Sequence, residues 1–107
     1  MSKVIDINEG NFDQEIINAG NLAVVDFGAD WCSPCKKLHP IMDEIAEEYA
    51  DRVAVGYVDV GESRTVAQKY AVMSVPRLVF FKNGNPVDTI IGLVPKPKIV
   101  EKIESHL

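Results

Sequence analysis

Leu22-Ala23-Val24-Val25-Asp26-Phe27 is apolar throughout except for one carboxylate, and it leads directly into Trp31-Cys32-Ser33-Pro34-Cys35-Lys36. Apolar residues that do not alternate with polar ones mark a strand buried on both faces. A strand of that kind needs a layer packed on each side, which points to an α/β arrangement. A helix follows the cysteines. Leu38, Ile41, Met42, Ile45, Ala46 and Tyr49 recur at helical spacing, while Lys37, Asp43, Glu44, Glu47 and Glu48 fall elsewhere. Pro40 removes one hydrogen bond from that helix and predicts a kink.

The rest of the chain supplies the other elements. Val4, Ile5 and Ile7 predict a short first strand. Asn11 reads as an N-cap with Gln14 as its capping-box partner, Phe12, Ile16, Ile17 and Ala19 line the helix, and Gly20 stops it. Residues 53–60 form the third strand, and Ser63 caps a short helix carrying Val66, Ala67 and Tyr70. Residues 78–81 form a fourth strand, ended by the hairpin turn Asn83-Gly84. Pro86 suits the start of an edge strand that runs to Ile91. Pro97 fits the first position of a last helix with Ile99, Val100, Ile103 and Leu107 inward. The order βαβαβαββα implies a mixed sheet with helices on both faces.

The 107 residues are expected to form a single domain, residues 1–107. The net charge is −5 with both signs interspersed, so there is no basic stripe and nucleic acid is excluded as a partner. No apolar run approaches the roughly 20 residues of a membrane span. The stretch Met1-Ser2-Lys3-Val4-Ile5-Asp6-Ile7 lacks the apolar core of a signal peptide, so a cytoplasmic location is expected. In that reducing compartment a close cysteine pair is more often catalytic, redox-active or metal-binding than a structural staple.

Cys32 and Cys35 are the only cysteines. Pro34 needs no amide donor in a first helical turn, which sets the two thiols one turn apart on one side of the helix. That spacing suits a disulfide, whose Cα atoms stand roughly 4.4–6.8 Å apart. So small a loop yields little chain-entropy stabilisation, and a bond there makes better sense as a switch. Cys32, at the helix start, has free backbone N–H groups facing its sulfur and is expected to be the nucleophile, with Cys35 resolving the mixed disulfide. Lys36 and Lys37 near the start and Glu47 and Glu48 at the end oppose the macrodipole, and positive charge beside Cys32 favours its thiolate. Two other readings stay open. Cys32, Cys35 and His39 could be part of a zinc site, although three ligands crowd one helix and the only other histidine, His106, is far away in sequence. The thiols could also be inert and buried. His39 itself reads as a plain helix-surface residue.

At these residues the chain resembles the thioredoxin family. Val25-Asp26-Phe27, Trp31-Cys32, Pro34-Cys35-Lys36, Pro40, Asp59, Val75-Pro76, Phe81-Lys82-Asn83-Gly84 and Gly92 all fall in family order. The resemblance implies a thioredoxin fold, a five-stranded mixed sheet flanked by four helices. It implies thiol–disulfide oxidoreductase activity: a protein-disulfide reductant re-reduced by a separate thioredoxin reductase, acting on disulfide-containing client proteins, as a monomer, through its own disulfide and with no other cofactor and no metal. It gives Asp26 the role of proton acceptor and donor for Cys35, which suits a carboxylate whose pKa is raised by burial in an apolar strand. It makes Val75-Pro76 a cis bond lying against the cysteines, with the segment before it offering backbone hydrogen bonds to an extended client. Trp31, Ser33, Pro34 and Gly92 complete the expected client-binding surface, and Lys36 and Tyr57 tune the site's protonation.

Four positions depart from the family pattern. Ser33 stands where Gly is usual, and its hydroxyl can bond the Cys32 thiolate and make the couple more oxidising. Gly28 replaces a bulky aromatic and predicts looser packing near Trp31. Tyr57 stands where many members have Lys, so Asp26 should be harder to ionise. Arg77 follows Pro76 where Thr is usual, adding charge near the client groove. Two competing functions are a thioredoxin-fold oxidase or isomerase, which wants an oxidising compartment and usually a different pair between the cysteines, and a scaffold module with incidental thiols, for which Asp26 and Pro76 would be needless.

Overall fold

The computed structural model describes residues 3–107; Met1 and Ser2, which belong to the stretch read above for a signal peptide, lie outside the described residues. Five strands, β1 (Ile5–Ile7), β2 (Leu22–Gly28), β3 (Val53–Asp59), β4 (Arg77–Lys82) and β5 (Asn85–Ile91), form one sheet in the order β1-β3-β2-β4-β5. The apolar run is the central strand. β2 pairs parallel with β3 and antiparallel with β4, and all its residues are buried. The helices are α1 (Ser33–Glu48), α2 (Arg64–Lys69) and α3 (Lys96–His106), with a short π-type segment at Asp13–Ile17 between β1 and β2. This is the five-stranded mixed sheet with helices that the motif order implied.

Alternation along β2 sorts its side chains between two cores. Leu22 and Val24 meet Leu38, Met42 and Ile45 of α1 and Ile99 and Ile103 of α3. Ala23, Val25 and Phe27 meet Phe12 and Ile16 on the other face, with Val66 and Ala67 of α2. Asp26 shares the first face with Leu22 and Val24, so it points toward α1.

Several local expectations are corrected. Asn11 does not cap a helix: its Oδ1 accepts from Asn8 N at 2.8 Å, and its Nδ2 donates to the Asp6 carbonyl at 2.9 Å. Asn8 Oδ1 in turn accepts from Gly10 N at 2.7 Å, so the two side chains close the turn leaving β1. The helical segment therefore starts after Phe12 without a side-chain cap, and Ala19 is exposed rather than lining it. Gly20 has φ +86° but does not end it: the segment stops at Ile17, with Asn18 as its C-cap. Ser63 occupies the N-cap position of α2 but makes no capping bond. The preceding turn is instead held by Asp59 Oδ1, which accepts from Gly61 N at 2.8 Å. α3 begins at Lys96, so Pro97 is its second residue, and Leu107 is exposed. Pro40 lies inside α1, which runs on to Glu48; Lys36, whose carbonyl loses the amide partner, is exposed to water. Asn83 and Gly84 take the positive φ values (51° and 84°) that a tight hairpin demands. Pro86 falls on the edge strand, where the β4–β5 register shifts.

Candidate active site

The cysteines lie where β2 gives way to α1, at the carboxyl edge of the sheet. Cys32 is the N-cap of α1, with extended backbone (φ −97°, ψ 108°). Its Sγ accepts from Cys35 N at 3.2 Å, so an unpaired amide of the first turn is aimed at that sulfur. Cys32 and Cys35 form a disulfide, with Cα atoms 5.2 Å apart. Cys32 retains 6% exposure and Cys35 none, which leaves Cys32 as the sulfur a client can reach. Ser33, Pro34 and Lys36 are exposed around the pair. Trp31 is 79% exposed, so it stands off the surface beside the sulfurs and does not pack into the core.

The Val75-Pro76 bond is cis, and Val75 packs with Val60 against Ala29, Cys32 and Cys35. Val75 precedes Arg77, the first residue of β4, so its own peptide groups lie outside the ladder. Gly92 has φ +91° and donates its N–H to the Pro76 carbonyl at 2.8 Å. A Cβ at Gly92 would meet nothing within 4 Å, so glycine is needed there for the backbone turn rather than for space. Arg77 is also tied into the fold. Its Nη1 donates to the Ala71 carbonyl at 3.0 Å and its Nε to Thr89 Oγ1 at 3.1 Å, tying the 71–76 loop to β5.

Asp26 sits in β2, the strand that leads into the pair. It is 1% exposed, and its Oδ1 is buried with no hydrogen-bond partner among the described residues. Burial raises its carboxyl pKa to about 7, against an ordinary 3.8. Tyr57 is its neighbour in register on β3. Burial, and then the carboxylates of Asp59, Asp26, Asp30 and Glu62, push the phenol up to about 12. Asp26 thus has a neutral neighbour in register, as the departure at position 57 implied.

The expectation of loose packing at Gly28 is overturned. A Cβ there would stand 2.9 Å from Tyr57 Cε1 and 3.4 Å from Cys35 Cβ. The Tyr57 ring has taken the room an aromatic at position 28 would fill, so the two departures are one exchange of volume between adjacent strands. His39, read from the sequence as a plain helix-surface residue, is exposed on α1 but does not stand alone. Its ring meets Tyr57 edge-on at 4.8 Å, and with Val4, Asp6, Asp26, Asp43 and Tyr57 it lines a cleft of about 240 Å³. The available signal was its spacing: four residues after Cys35, on the same side of α1. His106 lies elsewhere, its Nε2 3.0 Å from Asp88 Oδ2. Among the described residues no helix is long and apolar enough to cross a membrane.

Comparison with known proteins agrees with this geometry. The Thioredoxin family profile matches residues 3–105. Thioredoxin 1 of Synechococcus elongatus is 39% identical over 107 residues, covering all of both chains. Thioredoxin of Staphylococcus saprophyticus is 41% identical over 104 residues, 97% of this chain and 98% of that one. The chloroplastic M-type thioredoxin of Pisum sativum is 40% identical over 101 residues, 94% of this chain and 59% of that one. With a disulfide at the amide-lined start of α1 and this match along nearly its whole length, the chain belongs to the thioredoxin family of thiol–disulfide oxidoreductases.

Proposed function

We propose that the protein is a cytoplasmic, monomeric protein-disulfide reductant, re-reduced by a separate thioredoxin reductase. The observation that carries this reading is the Cys35 amide directed at the more exposed sulfur, Cys32 Sγ, at the start of α1. Backbone N–H groups and the helix dipole favour the thiolate there. The Cys32 thiolate attacks a client disulfide, and one client sulfur leaves as a thiolate. Asp26 takes the proton from the Cys35 thiol, and the Cys35 thiolate then attacks Cys32 Sγ of the mixed disulfide. The Cys32–Cys35 bond forms, the mixed disulfide breaks, and the client leaves with two electrons more. Val75 offers its backbone to an extended client strand, flanked by Pro76, Gly92, Trp31, Ser33 and Pro34.

Reduction of insulin disulfides tests the reading. Wild type with a thioredoxin reductase and its electron donor should turn over continuously, and Cys32→Ser should not. Failure to turn over with the reductase and its electron donor, or activity that survives Cys32→Ser, would sink it. An oxidase would reveal itself by a much less negative potential, and a scaffold by a client complex that persists without either cysteine.

A further inference from the structure

Asp26 can accept the Cys35 proton only as a carboxylate, so it must first lose its own proton to solvent, yet it is 1% exposed. A cleft that reaches it runs between β1, β3 and α1, lined by Val4, Asp6, Asp26, His39, Asp43 and Tyr57. At about 240 Å³ it has room for several waters of roughly 30 Å³ each, with polar groups to hold them. Among the described residues His39 is the only lining group that offers both a donor and an acceptor nitrogen. The other ionisable groups facing the cleft are Asp6 from β1, Asp26 from β2, Asp43 from α1 and Tyr57 from β3, and Asp59, Asp30 and Glu62 act on Tyr57 from beyond it. All are acids, which leaves the lining with one basic side chain, the His39 imidazole. Its edge-on contact with the Tyr57 ring at 4.8 Å holds it over the opening, while its own exposure leaves it open to buffer.

We propose that His39 is the outer station of a proton route, Asp26 to cleft water to His39 to solvent, which readies the carboxylate to accept from Cys35. His39 touches no reacting sulfur; it acts through Asp26, and the inference rests on the proposed role of Asp26. The proton that Asp26 holds beforehand leaves through His39 to bulk buffer. The carboxylate then takes the proton of the Cys35 thiol as the Cys35 thiolate attacks Cys32, and the departing client thiolate is protonated from solvent. No electrons move along this route.

The chromogenic disulfide dithiobis(nitrobenzoate) separates the steps. The first nitrothiobenzoate released reports attack by Cys32, and the second reports resolution by Cys35. In His39→Ala the first release should be unchanged. The second should slow by about tenfold in dilute buffer, less than the roughly 10²–10⁴ of a group acting directly, because water still provides a slower exit. Added imidazole should restore the second release, and sodium chloride at equal ionic strength should not. His39→Gln should behave as His39→Ala does. Asp26→Asn should slow the second release, and adding His39→Ala to it should change nothing further. If Asp26→Asn slows that step and His39→Ala does not, or if imidazole fails to rescue, the route through His39 is wrong while the role of Asp26 stands. If Asp26→Asn leaves the step unchanged, the underlying reading falls and the route with it.

Discussion

Asp26 should make the oxidised protein less stable as pH rises, and Asp26→Asn should abolish that trend. The carboxyl titrates near its ordinary 3.8 in the unfolded chain and at about 7 in the fold, because burial disfavours the charged form. Below the lower value both states hold the proton and the group contributes nothing. Between the two the folded state binds more protons than the unfolded one, so stability falls with rising pH. Above the upper value the loss is complete. A difference of about three pH units at 1.36 kcal/mol each comes to about 4 kcal/mol, of which about 3 kcal/mol falls between pH 5 and 8.5. The amide of Asn cannot ionise, so Asp26→Asn should gain on wild type by that increment across the interval, even if its unpaired amide costs about 1–3 kcal/mol at every pH. Urea unfolding of both oxidised proteins at pH 5 and pH 8.5 measures the increment, with the disulfide intact so that no thiol titrates. A wild-type-to-variant gap that is the same at both pH values would refute the reasoning.

Four further outcomes are expected. Ser33→Gly should make the reduction potential more negative by about 30 mV, equivalent to 1.4 kcal/mol, through loss of a hydroxyl bond to the Cys32 thiolate; glutathione-equilibrium titration reads it, and an unchanged or higher potential counts against the idea. Gly28→Ala drives a Cβ to within 2.9 Å of the Tyr57 ring and should cost about 1–3 kcal/mol in chemical unfolding, most of it recovered in Gly28→Ala/Tyr57→Ala; additive costs would break the claimed exchange of volume. Tyr57→Lys should lower the Asp26 pKa by about one pH unit or more, followed by carboxylate resonances, and a rise would contradict the account. Ala71 is held at φ +54° after α2, where a side chain costs about 1–2 kcal/mol, so Ala71→Gly should stabilise by about 0.5–1 kcal/mol once the extra freedom of unfolded glycine is counted; a loss would show that the Arg77 bond to this carbonyl depends on alanine.

Where sequence reasoning erred, it erred locally. Asn11 and Ser63 are plausible caps by residue type, but in the fold Asn8 and Asp59 reach the turn amides first. Competing side-chain acceptors a few residues apart look alike in one dimension, and only the path of the chain selects among them. At Arg77 the sequence showed only the charge; that it also holds a loop depends on Ala71 and Thr89, which lie on separate segments.

What the residues determined unaided was whatever depends on neighbours along the chain. The unbroken β2 run required cover on both faces, the Trp31–Lys36 stretch required a thiol at a helix start, and Asn83-Gly84 required a hairpin. Tertiary structure alone decided what depends on neighbours across it. Parallel pairing of β2 with β3 set Asp26 beside Tyr57 and let the Tyr57 ring occupy the volume left at Gly28. Packing of α1 over that face brought His39 to the mouth of the cleft above the buried carboxyl. Local backbone chemistry is written in adjacent letters, whereas burial, and every pKa that burial moves, belongs to the assembled layers.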